Sequence, residues 1–532
     1  MTANPANPAV FQERIVPPDA APVGYAALVQ KYGIAAPVRF PSCVAKGFVY
    51  GSRRAYEDWT IFDKRFAPED SLFGHLSFAI RHETINLLVL KKLFQGVLPR
   101  DIAVLIEAEP TGSTTRRIWF FYEWLTGTRL ELPDAERGNY VEALDSADYF
   151  TSTPVNSPRH RVRDNLLGTP AFCPVLRRTE YLVETVAHRW DAQAKEIIGE
   201  IGRGIVARAA SFLLLSDSQA SYQIEGERPP RSRLERWMRA VAQAGKRPIS
   251  VDELVRLQHI VIEENRFIKR GLRDAGGFIG DRDWNDDPLP EFVSARHEDV
   301  NDLLEGIIAG GRRMAESGVD AVLQASVMAF AFVFVHPFED GNGRLHRYLI
   351  HHVLAERGYT PSGMIFPVSS VLLERQEEYS TRLRSYTGPL LPFIEWVPTA
   401  EKNVRVINET ADLYRFGDFT ELTEFLYACV VQTIRHDLPN EIEHLARFDQ
   451  AKGRIQDFLE MPDAMISSLV NFILQNEGTL SRKRRGREFE KMTDEEVESA
   501  ETVVRDAFDI GLSDAQSDPS EAAEFKGRGA RR

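Results

Sequence analysis

The chain has 532 residues, 43% hydrophobic and 27% charged, the balance of a soluble globular protein long enough for two to four domains. Its formal net charge of −13 argues against a general nucleic-acid binder, which needs a basic face for phosphates. Cys43, Cys173 and Cys429 lie far apart without metal-ligand spacing and read as buried thiols of a reducing compartment. The first residues lack the pattern of a signal peptide. The longest apolar run, Val319–Val335, contains Asp320, Gln324 and Ser326 and is too short for a bilayer span. The expected location is the cytoplasm, with no membrane partner.

In chain order, 1–45 reads as a partly ordered Pro/Ala-rich arm with one short helix near Tyr25–Tyr32. A helical region is expected over 46–190, with helices between Phe73 and Thr126, then a Pro/Gly-rich stretch over Asn156–Arg178. The arginines at 159, 161, 163, 177 and 178 in that stretch are expected to dock acidic surface of the same chain. Thr179–Leu215 is helical again. Ser221 and Glu225, four apart, share one face of a helix (about 211–226) that stops at Gly226. Pro248–Arg270 has inward positions Leu254, Leu257, Val261 and Ile268 at helical spacing. The glycine-rich Gly271–Gly280 suits a short hairpin with an exposed edge, and Pro290–Ser317 and Val319–Val335 supply packing helices. Beyond Gly358, a loop over Pro361–Val368 precedes a helix over Ser369–Ser385, and Phe393–Trp396 begins another. From Asp412 to Phe508 three or four more helices are expected, with the basic run Ser481–Arg487 as a solvated loop paired to acidic neighbours. Residues 511–532 read as a disordered tail.

The informative stretch is His336–Arg347, His-Pro-Phe-Glu-Asp-Gly-Asn-Gly-Arg-Leu-His-Arg, between the apolar run and an amphipathic segment, Leu345–Arg357. It reads as a tight loop entering the first turn of a helix. Gly341 and Gly343 let the backbone take positive φ and approach a ligand. The first N–H groups of the helix lack intrahelical acceptors and lie at its positive end, so the loop forms an anion nest that fits a diphosphate. Arg344 and Arg347 share a face and can reach further phosphate oxygens. Asp340 suits Mg²⁺ held between phosphates, and His336 can exchange a proton near neutral pH.

These residues resemble the Fic-family signature, His-x-Phe-x-(Asp/Glu)-Gly-Asn-Gly-Arg-x-x-Arg, with all eight defined positions of the twelve filled. The resemblance implies a mainly α fold: a Fic-type helical core over 191–400 with a short β-hairpin flap, flanked by helical regions over 46–190 and 401–510. It also implies transfer of AMP from ATP to a Ser, Thr or Tyr hydroxyl of a target protein. His336 would be the base and Asp340 the Mg²⁺ ligand. ATP would be held by Asp340, Gly341, Asn342, Gly343, Arg344, Leu345, His346 and Arg347, with Phe338 anchoring the loop. Ser221-x-x-x-Glu225-Gly226 matches the family's inhibitory motif, in which the glutamate takes the second arginine, here Arg347, from the γ-phosphate. Gly277, Phe278 and Ile279 would form the flap that docks the target, with Arg273 at a position where the family usually has an arginine. Tyr379 would stack on the base. The usual tyrosine pair and asparagine are replaced by Glu378, Tyr379 and Tyr386, which leaves the base open.

Two alternatives stand beside this reading: the same site run in reverse, with Glu225 orienting a water to remove AMP, and a non-enzymatic regulator binding DNA through 481–487. The target, another protein or the chain itself, is not given by the sequence, and a homodimer is left open.

Overall fold

Helix Ala321–Val335 is apolar on every side, and each of its side chains except Val333 is buried. Such a helix is enclosed by others rather than laid on a surface. Asp320 starts it, accepting from the N–H groups of Val322 and Leu323. The computed structural model describes residues 9–47, 53–199, 201–262 and 268–510. In it, Val300–Glu316, Asn342–Glu356 and Thr420–Gln432 pack around this central helix. The fold is mainly α with small sheets. No helix among the described residues is long and apolar enough to cross a membrane.

The chain divides into two compact units, Met1–Gly199 with Phe212–Ile434, and Glu200–Ser211 with Arg435–Arg532. The boundaries expected near 190 and 400 do not separate units. Strand Cys173–Val175 pairs in parallel with Phe416–Asp418, and Arg177 bonds Asp418 at 2.8 Å. The helical region before the site and residues 401–434 thus fall in one unit. In the second unit, helices Leu438–Gln456, Asp463–Gln475 and Asp494–Phe508 bury Ile455, Ile466, Leu469, Val470, Ile473, Val497 and Val504 together.

Several expectations need correction. The described part of the N-terminal arm is built into the fold. Strands Ala20–Val23 and Ser42–Ala45 join Trp59–Phe62 and Arg53–Tyr56 in a four-stranded sheet, with helix Gly24–Tyr32 between the first two. Apolar residues between the prolines, such as Val23, Tyr25, Leu28 and Val38, are buried and supply the packing. The basic stretch carries short strands, Val155–Ser157 and Val162–Asp164, and of its arginines Arg159 and Arg177 meet carboxylates of the chain. Arg159 pairs with Glu123 at 2.8 Å and Asp134 at 2.6 Å. The expected helix at Phe393–Trp396 is instead the end of a 3-10 turn and a hairpin, Trp396–Pro398 with Val404–Val406. Pro392, which supplies no N–H, accompanies the change. The basic run is helix Arg482–Glu488, capped by the Ser481 hydroxyl, with Arg484 on Glu488 at 2.5 Å and Arg485 on Asp494. The expected ionic pairing is present, and the loop is not. The expected tail at 511–532 lies outside the described residues.

Candidate active site

The His-to-Arg stretch joins the central, leading helix to the trailing helix Asn342–Glu356. Its first residue ends the leading helix in an unusual way. His336 has φ 53° and ψ 61°, a left-handed conformation that disfavours residues with a Cβ, and its N–H still bonds the Phe332 carbonyl. Arg273 holds this turn. Its buried guanidinium donates to the carbonyls of His336 (2.7 Å), Ala275 (2.6 Å), Val335 (3.2 Å) and Ala295, and its N–H donates to the Pro337 carbonyl. A cation at a helix C-terminus also meets the negative end of the dipole.

The His336 Nδ1 lies 3.3 Å from the Val333 carbonyl, which can only accept, so Nδ1 carries the proton and Nε2 keeps its lone pair. Burial, with the Arg273 charge second, pushes this imidazole down to about 4. At neutral pH it is uncharged.

Phe338 is fully buried and anchors the loop. Asn342 closes it, its side chain accepting from the Phe338 N–H (3.0 Å) and donating to the Phe338 carbonyl (2.7 Å). Both ends of the amide are thus engaged inside the loop. Gly341 has φ +96°, and its N–H donates to Asp340 at 2.6 Å. Glu339 points away, exposed, and accepts from the Lys269 N–H. The side chains of Leu345 and His346 face the core. Both are fully buried, and His346 Nδ1 bonds the Ala329 carbonyl at 2.8 Å. They pack the trailing helix against the leading one and cannot offer side chains to a ligand. Tyr379 is buried between His346 and Phe425, with centroids 6.1 Å away on each side, and is a wall residue rather than an open stacking platform. Tyr386 stacks on Phe334.

Helix Arg203–Ile224 brings the Ser-to-Gly motif to this loop. Gly226, at φ +71°, ends it as expected. Its rungs against the trailing helix step by four on both sides. Asp217 meets His351 at 2.8 Å, the Ser221 hydroxyl and carbonyl accept from Arg347 at 2.8 and 2.6 Å, and Glu225 lies over Gly343. A Cβ on Gly343 would fall 2.0 Å from Glu225 Oε1. The same carboxylate pairs with Arg347 at 2.9 Å, and Arg347 is 2% exposed. Burial raises the Glu225 carboxyl, but the Arg347 charge and hydrogen bond, aided by Arg344, hold it below the ordinary value. An anion therefore already sits at the positive end of the trailing helix.

The flap is a real hairpin but lies further along than expected. Phe278–Arg282 pairs antiparallel with Pro288–Val293, with a bulge at Ile279/Gly280. Gly277 precedes it and accepts from Ser294. Residues 290–293, expected as the start of a helix, are its second strand, and helix Val300–Glu316 follows. Prolines on an edge strand explain the difference. Ile279 is exposed, and Trp284 at the tip is 91% exposed. Phe292 places its ring edge-on to His336 at 6.4 Å. Helix Val251–Val261 ends well before the expected Arg270.

Sequence reasoning missed helix Arg231–Val241, the Asp217–His351 pair and Glu227. A signal for the last was present: two acids flanking a helix-ending glycine, and two arginines three apart to receive them.

Comparison with known proteins agrees on the central region. The Fic/DOC family pattern matches residues 248–354. A Caenorhabditis elegans protein named protein adenylyltransferase fic-1 is 27% identical over 151 residues, 28% of this chain and 26% of that protein. A Drosophila melanogaster protein adenylyltransferase Fic is 27% identical over 165 residues, 31% and 28% of the respective chains. This chain thus spans little more than a quarter of the length of these relatives. A Fic-domain-containing signaling protein from Bacteroides thetaiotaomicron superimposes with TM-score 0.35 and 17% identity, covering 49% of this chain and 97% of that one. Residues 248–354, which hold the whole His336–Arg347 loop, are thus similar to the Fic/DOC family.

Proposed function

We propose that the chain transfers AMP from ATP to a hydroxyl of a protein, and that Glu225 holds the site off. The observation that carries this reading is the Glu225 carboxylate over Gly343 and on Arg347, an acidic group seated where the loop would take a phosphate. The first amides of the trailing helix and Arg347 are oriented for an anion before any ligand arrives, which favours charge developing on a polyphosphate. His336 Nε2 takes the proton of the incoming hydroxyl, and its oxygen attacks the α-phosphorus in line. The bond to the bridging oxygen breaks, and pyrophosphate leaves. General-base help of this kind supplies roughly 10²–10⁴-fold, and positioning supplies much of the remainder.

Among the described residues no group of three or more His, Cys, Asp or Glu is placed to hold a metal ion. Asp340, a partly exposed carboxylate at the mouth of the nest, fits Mg²⁺ whose other ligands are phosphate oxygens and water. When bound, that ion neutralises phosphate charge. The exposed flap residues Ile279 and Trp284 favour a protein as the acceptor, docked along the hairpin edge. The test is labelling with ATP radioactive at the α-phosphate, comparing wild type, Glu225→Gly and Glu225→Gly/His336→Ala on the chain itself and on a cell lysate. Label that appears with Glu225→Gly and vanishes with His336→Ala supports the reading. Equal label in all three overturns it.

A further inference from the structure

The loop has two arginines, and Glu225 answers only one. Arg344 is 1% exposed and its fork is also occupied. Nη1 lies 2.8 Å from Glu227 Oε1, Nη2 lies 2.6 Å from Asp340 Oδ1, and the guanidinium sits 5.2 Å from the centre of the Tyr222 ring. Glu227 is held in turn. Its Oε2 is 2.7 Å from Arg233 Nη1, its N–H bonds the Tyr222 carbonyl at 3.0 Å, and Arg233 Nε is tied to the Val261 carbonyl at 3.0 Å. The Tyr222 ring has Arg233 and Arg344 each 5.2 Å from its centre. The left-handed turn at Gly226 separates the two acids and sends each to its own arginine.

We propose that Glu227 is a second inhibitory carboxylate, which holds Arg344 while Glu225 holds Arg347, so that two ion pairs close the loop to a polyphosphate. This deepens the reading above and rests on it. Three acids, Glu225, Glu227 and Asp340, offset three arginines, Arg233, Arg344 and Arg347, within one cluster. A nucleotide adding several negative charges must displace acids already there, because one fork cannot serve a carboxylate and a phosphate at once. Removing Glu225 frees Arg347 only. Arg344 stays clamped from the far side, because the Glu227 anchor on Arg233 does not pass through Glu225.

The test measures ADP and AMP binding by calorimetry on the full chain, as wild type, Glu225→Gly, Glu225→Gly/Glu227→Gln and Glu225→Gly/Arg233→Met. Glu225→Gly is expected to bind ADP more tightly than wild type, because the carboxylate over Gly343 no longer occupies the nest. Adding Glu227→Gln should tighten ADP by a further factor of about ten, the weight of one close ion pair, and leave AMP unchanged, since on this proposal Arg344 meets the phosphate beyond the first. Arg233→Met lies outside the phosphate-binding groups and only loosens the anchor, so it should move ADP affinity the same way by less. ADP binding by the double variants no tighter than by Glu225→Gly would overturn the proposal while leaving the first reading intact. In that case Glu227 would only orient Arg344. A Glu225→Gly protein that gains neither nucleotide affinity nor label would defeat both.

Discussion

Glu225→Gly should destabilise the free protein and make it far more responsive to ATP. The substitution leaves Arg347, 2% exposed, with Ser221 but without its carboxylate partner. Breaking a fully buried pair costs about 3–5 kcal/mol. Glu225 is 34% exposed, so solvent screens some of that, and a loss of about 1.5–3 kcal/mol is the reasoned figure. A kcal/mol moves the midpoint by about 2–4 °C in a unit of 150–250 residues and by less in a larger one, so the melting temperature should fall by roughly 2–5 °C. ATP would then supply the missing anion. At a hundred times its dissociation constant a ligand returns about 2.7 kcal/mol, enough to restore the wild-type midpoint. The wild type, whose anion is built in, should shift little at the same concentration. Thermal melts of both proteins against an ATP series, with labelling measured on the same samples, make the check. Equal ATP shifts and equal label in the two proteins would mean that Ser221–Gly226 is only a helix end.

Other outcomes follow from the same structure. In the Glu225→Gly background, kcat/KM should stay flat from pH 8 down to about 5 and fall only as His336 protonates near 4, below the ordinary histidine range. A midpoint at 6.5 would mean that the imidazole is not desolvated. Asp340→Ala should lose Mg²⁺-dependent labelling while Glu339→Ala keeps it, because Glu339 bonds the Lys269 N–H away from the nest, and the reverse result would refute this loop geometry. Glu83 is buried against the Tyr25 N–H, and burial raises its carboxyl from 4.5 to about 8. The folded chain therefore holds an extra proton between those values and loses stability as pH rises through them. Glu83→Gln should melt close to wild type near pH 4.5 and be the more stable protein at pH 8.5, by at most about 5 kcal/mol.

The central region was readable because its signals are local. Eight motif residues, one apolar helix and a four-residue spacing lie in short windows, and the structure puts Glu225 on Arg347 as that spacing allows. What escaped depends on distant partners. Nothing near Arg273 in sequence shows that it will donate to carbonyls at 295, 335 and 336. Asn342 looks like a free amide until Phe338 is seen folded back upon it. The arm over 1–45 reads as loose because its prolines break periodicity, yet its strand Ser42–Ala45 pairs with Trp59–Phe62. Tyr379 looks like a stacking residue, and only packing shows that Phe425, 46 residues on, covers it.

The four-residue rungs between Arg203–Ile224 and the trailing helix decide how the helix that carries Glu225 can be moved. A slide of one residue turns its face by about 100° and loses every rung together. A slide of a whole turn would set Asp217 against Arg347, put Ser221 over Gly343 and leave His351 facing apolar Leu213. Translation is therefore blocked along the whole contact. Lifting is different, because the rungs then break singly, in order from the Gly226 end. The Asp217 carboxylate, on His351 and on the Ser369 N–H at 2.7 Å, remains as a pivot. The amides of 222–226 should accordingly exchange with solvent before those near 217. A force applied at the Gly226 end acts through a lever about two helical turns long, so opening the site is a matter of leverage rather than of shear.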